Sequence, residues 1–223
     1  MATVISGNGS LLDEKLKYPP PVKVLAQIVS WIFHPLFIPL YISFFLLYIH
    51  PYAFVAFNEK MKFFKLLFVF VNTALFPGFS VFLMWRLKFI QSIYLRTQKE
   101  RIIPYAAAMI FYFWAWYVSK SQLDNSEIFT NFLFGSFVTV IAAWMANIYF
   151  KVSMHALAIG GMLFFILWVS FSGEGASGLY AAAALLITGL VCTSRMIVSD
   201  HRPSEIYAGI FLGIICQVIG LVF

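Results

Sequence analysis

Residues 128–171 read IFTNFLFGSFVTVIAAWMANIYF, then KVSM, then HALAIGGMLFFILWVSF, and Lys151 is the sole Asp, Glu, Lys or Arg among them. The two apolar runs, 128–150 and 155–171, have the length that an α-helix rising about 1.5 Å per residue needs to cross roughly 30 Å of hydrocarbon. Four residues separate them, which is enough for a turn at a membrane surface and too few for a folded segment in water. The same pattern recurs along the chain, at 24–49, 63–85, 103–118, 179–198 and 205–223. With 62% hydrophobic residues, 11% charged residues and a mean hydropathy of +0.88 over 223 residues, there is too little polar surface to solvate a globular domain. A barrel would show short alternating segments instead. The expected fold is therefore all-α, a polytopic transmembrane bundle of six or seven spanning helices, in one domain over 23–223.

Breakers sit inside two runs: His34-Pro35 with Pro39 in the first, and Pro77-Gly78 in the second. Both are expected to kink their helices, because neighbouring helices can satisfy carbonyls that proline leaves unbonded. Residues 1–22 carry Asp13, Glu14, Lys15, Lys17 and Pro19-Pro20-Pro21 and read as a polar, mobile tail without the basic head and small-residue exit of a signal peptide. Cys192 and Cys216 fall within apolar runs and read as small buried hydrophobes.

Seven spans place the tail and the junctions 86–102, 150–154 and 195–204 on one face. That face holds eleven Lys and Arg, against Lys60, Lys62, Lys65 and Lys120 on the other. The positive-inside rule leans this face to the cytoplasm, although the bias falls to six against four if Lys99, Arg101, Lys151, Arg195 and Arg202 serve a ligand. Three ionisable clusters share it. The first is Arg96-Thr97-Gln98-Lys99-Glu100-Arg101-Ile102-Ile103-Pro104, which alone reads as a positive-inside loop. The second is Lys151-Val152-Ser153-Met154-His155 at the start of a run, where free N–H groups and a partial positive charge favour anions; an N-cap serine beside a snorkelling lysine reads equally well. The third is Ser194-Arg195, five residues, His201, three residues, Glu205. An i, i+4 spacing puts Glu205 and His201 on one helical face, where the carboxylate can accept a hydrogen bond from one imidazole nitrogen and orient the other. The plainer alternative is a His–Glu pair that solvates a helix end. Polar groups gathered at one bilayer depth mark a site more often than chance.

Ser194-Arg195-x5-His201-x3-Glu205 resembles the third signature of the type 2 phosphatidic acid phosphatase and vanadium haloperoxidase superfamily, Ser-Arg-x5-His-x3-Asp, with Glu for Asp. Lys151–His155 resembles the second signature, Pro-Ser-Gly-His, keeping Ser153 and His155 and carrying Val152 and Met154 in place of Pro and Gly. The stretch Lys99–Pro104 is a loose form of the first, similar to an Arg-x-x-Pro variant of prokaryotic branches, and it points to a prokaryotic plasma membrane. The resemblance spans about 96–223. It implies a lipid-phosphate phosphatase in which His201 is the nucleophile, Glu205 orients it, and His155 is the acid and then the base. Arg195, Arg101, Ser153, Lys99 and Lys151 would hold the phosphate oxygens. No metal or cofactor is implied, the partners are a membrane lipid phosphate and the bilayer, and the lipid can be phosphatidate-like or polyprenyl.

Other classes fit less well. A magnesium-dependent prenyltransferase needs clustered aspartates, and Asp13, Asp124 and Asp200 lie far apart. Zinc on His155, His201 and Glu205 is chemically possible, yet the nearby arginines favour an anion. Net charge +6 and pI 9.3 reflect cations that flank spanning helices and need no nucleic acid. A non-catalytic lipid-binding or transport protein on a decayed phosphatase fold is the remaining alternative.

Overall fold

A computed structural model describes residues 2–5, 11–14, 18–50, 52–93, 95, 97–122, 126–149, 152–172, 177–198 and 201–223. Seven helical segments are long and apolar enough to cross a membrane: Pro20–Ile49, Glu59–Arg86, Gln98–Lys120, Glu127–Tyr149, Met154–Phe171, Gly178–Val198 and Pro203–Val222. The described residues form a helical, multi-pass bundle with a short N-terminal hairpin. In that hairpin β1 (Ala2–Ile5) pairs antiparallel with β2 (Leu11–Glu14), Ala2 opposite Glu14. The expected mobile tail thus contains paired strands among its described residues.

The first span is interrupted rather than kinked. Helix α1 (Pro20–Ile32) ends as Phe33 leaves helical geometry, and His34 is extended at φ −64°, ψ 139°. Pro35 is the cause, because its ring disfavours the helical conformation of the residue before it. A 3-10 turn (Pro35–Phe37), helix α2 (Ile38–Phe44) and a π-helical turn (Phe45–Ile49) complete the crossing. The second span joins α3 (Glu59–Phe70) through a π-helical turn (Val71–Leu75) to α4 (Phe76–Arg86). Pro77 lacks the N–H that the Thr73 carbonyl would otherwise receive. The Tyr112 hydroxyl of the third span donates to that carbonyl at 3.3 Å.

Single helices form the remaining spans: α5 (Gln98–Lys120), α6 (Glu127–Tyr149), α7 (Met154–Phe171), α8 (Gly178–Val198) and α9 (Pro203–Val222). Helix α7 is central, with 56% of its spanning window buried against 28–39% for the other spans. It packs on α9 and α8, while α6 packs on α5 and α9, and α1 lies on α8. Lipid supplies no hydrophobic drive between helices, so close packing of small residues has to. A Cβ at Gly213 would overlap the Leu157 carbonyl oxygen, and one at Gly160 would overlap the Ile210 backbone. These glycines let α7 and α9 approach backbone to backbone and fix the relative height of their N-termini.

Candidate functional site

Three helix ends meet on the face that carries the N-terminal tail: the starts of α5, α7 and α9, joined by the end of α8. The start of α9 is ordered by Glu205. Its Oε2 lies 2.7 Å from His201 Nδ1 and accepts the Arg202 N–H at 3.4 Å. Pro203 occupies the first turn, where a missing N–H costs little. The His201 side chain is 7% exposed and Glu205 22%. A carboxylate that accepts two protons cannot donate, so Nδ1 of neutral His201 carries hydrogen and Nε2 carries the lone pair.

Helix α7 begins against α9. The Ser153 N–H points at the Glu205 carbonyl at 3.5 Å. Ser153 is fully buried and its Oγ accepts the Ala156 N–H at 3.4 Å as the N-cap. Two residues on, His155 Nε2 sits 3.0 Å from the Ser30 carbonyl oxygen. That carbonyl is left over by the end of α1: the His34 N–H that would have bonded it turns instead to the Trp31 carbonyl. A carbonyl only accepts, so His155 holds its Nε2 proton there and presents Nδ1 as its second functional atom.

Arg195 stands one turn from the end of α8, half-buried. Its charge is felt at His155 and His34, and that of Arg101 is felt at Arg195. Arg101 donates Nε to the Leu95 carbonyl at 2.8 Å and lies near the Tyr105 hydroxyl one turn along α5. Leu95 reaches that position with φ 47°, a left-handed conformation that branched side chains seldom adopt. The start of α5 is itself a capping box, in which Thr97 and Glu100 exchange backbone N–H bonds and Glu100 Oε1 also accepts the Gln91 N–H at 2.9 Å. Asn147 Nδ2 ties this end to α6 through the Gln98 carbonyl at 2.9 Å.

His201, Glu205, His155, Arg195 and Arg101 therefore come to one end of the bundle. Lys99 does not join them by any contact among the described residues and is exposed on the first turn of α5. Lys151 and Arg96 lie outside the described residues. Met154, in the position of the signature glycine, is half-buried with its sulfur 2.6 Å from the Tyr105 hydroxyl. Ser194 bonds the carbonyl of Leu190 within its own helix. Among the described residues no three His, Cys, Asp or Glu side chains converge as metal ligands. The three sequence clusters do not include Ser30, Tyr105 or His34. The last has a signal, an ionisable ring within an apolar span, which its pairing with Pro35 as a helix breaker masks.

One carboxylate, Glu205, pairs with His201, while His155 and His34 pack ring against ring and two guanidinium groups, of Arg195 and Arg101, belong to the same end of the bundle. Like charges at short range are costly unless an anion offsets them, and guanidinium groups match phosphate oxygens in geometry. No family model, curated protein or solved structure matches the chain.

Proposed function

We propose that this chain is an integral-membrane phosphohydrolase, similar to the type 2 phosphatidic acid phosphatases, that cleaves a phosphate monoester or diphosphate of a lipid. The observation that carries this reading is the meeting of the starts of α7 and α9, where the Ser153 N–H, two residues before His155, points at the carbonyl of Glu205 at 3.5 Å and the Glu205 side chain is bonded to His201.

In the reaction, the Nε2 lone pair of His201 attacks phosphorus and the bond from phosphorus to the lipid oxygen breaks. His155 enters this step as the imidazolium, its charge offset by the phosphate anion and its Nε2–H kept on Ser30, and its Nδ1 proton passes to that leaving oxygen. His155 Nδ1 then takes a proton from water, the water oxygen attacks phosphorus, and the phosphorus–nitrogen bond breaks to return the lone pair to His201. Arg195 and Arg101 hold the nonbridging oxygens as charge shifts. Glu205 keeps the first imidazole in the required tautomer and stabilises its positive charge. A phosphate at the headgroup level with its acyl or polyprenyl tail left in the bilayer fits a site placed at the helix ends. The excess of Lys and Arg on this face favours a cytoplasmic site.

The test is phosphate release in detergent with a chelator, from a panel of phosphatidate and polyprenyl phosphates and diphosphates, comparing the parent with His201→Ala and His155→Ala. Release abolished by both changes supports the histidine mechanism. A second reading, a non-catalytic lipid-phosphate binder or transporter on a decayed phosphatase fold, is favoured by the commitment of His155 Nε2 to Ser30 and by Met154 at the signature glycine position. It predicts no release from the folded parent, with Met154→Gly as the restoring change.

A further inference from the structure

His34 does not behave as a core residue. It is exposed although it lies within an apolar span, and its ring centroid is 5.5 Å from that of His155 at an interplanar angle of 81°. Arg195 acts electrostatically on both rings. The Leu36 N–H points at His34 Nδ1 at 3.4 Å, so the neutral ring carries its proton on Nε2. Among the described residues that nitrogen has no protein acceptor, and it belongs to the ring that packs edge-on against His155.

The interruption at Phe33-His34-Pro35 accounts for this placement. By ending α1 it frees the Ser30 carbonyl that holds His155, and by extending His34 it brings a second imidazole against the first. An unbroken helix would bond the Ser30 carbonyl internally and turn His34 along with the rest of the first span.

We infer that His34 is a further phosphate-contacting residue of the site, donating its Nε2–H to an oxygen of the phosphate group that Arg195 and Arg101 hold. This rests on the phosphate reading of the site. The contact brings the first span into a site that the three sequence clusters build from α5, α7, α8 and α9 alone. It makes substrate binding depend on the break in that span.

The chain has four histidines, His34, His50, His155 and His201, and His50 lies on the opposite face, which supplies an internal control. The experiment is titration of the ring-¹⁵N-histidine protein in micelles with inorganic phosphate, with signals assigned through single substitutions. His34→Asn is the variant of choice because its side-chain oxygen can still accept the Leu36 N–H and preserve the break. The expected result is that His34, His155 and His201 signals move along one saturation curve while His50 stays still, and that His34→Asn weakens phosphate binding about tenfold. Movement of His155 and His201 with His34 unmoved, or parent affinity in His34→Asn, overturns the inference and leaves the phosphate site standing. No movement of any histidine in folded protein overturns both.

Discussion

His155 reaches back 125 positions in sequence to the Ser30 carbonyl, 3.0 Å from its Nε2. This one bond serves two ends: it satisfies an orphan carbonyl at the end of α1, and it fixes which imidazole nitrogen faces the site. The two uses can be separated. A glutamine at 155 can donate its side-chain N–H to Ser30 but cannot carry a proton to a leaving oxygen. His155→Gln is expected to unfold in denaturant close to the parent while phosphate release falls about 10²–10⁴-fold. His155→Ala loses the tie as well, at a further cost of about 1 kcal/mol. Parent-like turnover in His155→Gln would reduce this histidine to a helix tie.

Glu205 offers a cleaner separation of charge from shape. In Glu205→Gln the amide oxygen can still accept the Arg202 N–H that caps α9, so stability is expected to change little. The amide can equally donate to His201 Nδ1, which admits the wrong tautomer and removes the negative charge that supports a cationic ring. Phosphate release is expected to fall about a hundredfold or more, measured at saturating substrate alongside the unfolding midpoint. Equal loss in both readouts would mean that Glu205 only caps the helix.

Much of this architecture is legible because a membrane restricts the alternatives. Backbone polar groups inside hydrocarbon must be bonded within the segment, so seven apolar runs read directly as seven spanning helices. Their ends are less legible. Helix α3 begins at Glu59 and α5 at Gln98, several residues before the apolar runs at Phe63 and Ile103, since a helix continues into the headgroup region on caps such as Asn58 and Thr97 rather than on hydropathy. The Thr97–Glu100 capping box is visible in sequence as Thr-x-x-Glu, yet the three cations around it point as readily to phosphate. Local spacing yields the His201–Glu205 pair, though not on the shared helical face expected: His201 precedes the Arg202 N-cap of α9, and Glu205 in the first turn reaches back to it. The Ser30–His155 bond and the neighbourhood of His34 are tertiary and leave no periodic trace. Ser153 is visible as a cap, which is how its acceptor is used.

The mutual height of His155 and His201 depends on how closely α7 and α9 approach. Gly160 meets the backbone of Ile210 with no room for a methyl group, so Gly160→Ala forces two backbones apart. The expected cost is about 1–3 kcal/mol, with loss of phosphate binding because His155 lies in the first turn of α7 and His201 immediately precedes α9. At Gly189 on α8, an alanine methyl would meet nothing within 4 Å. Gly189→Ala is expected to leave stability unchanged or raise it by up to about 1 kcal/mol. Unfolding of both variants in a mixed-micelle denaturant series checks the contrast; equal effects would remove the glycine contact from the account of site geometry.

On the far face, His50 lies outside the spanning segments and is buried, with the Ala53 N–H donating to its Nδ1 at 3.1 Å. Burial holds its pKa below the ordinary value of 6.5, and an occupied Nδ1 lone pair resists protonation for the same structural reason. As pH falls below that ordinary value the unfolded chain takes up a proton that the folded chain refuses, so stability present above it is progressively lost toward the folded pKa. His50→Asn retains an oxygen acceptor for the Ala53 N–H and does not titrate. Between about pH 7.5 and 5.5 the parent is expected to lose more stability than His50→Asn, read as the change in unfolding midpoint. The other three histidines are common to both proteins, so the difference between the two curves isolates His50. Parallel curves would show that His50 protonates in the folded state as readily as in the unfolded one.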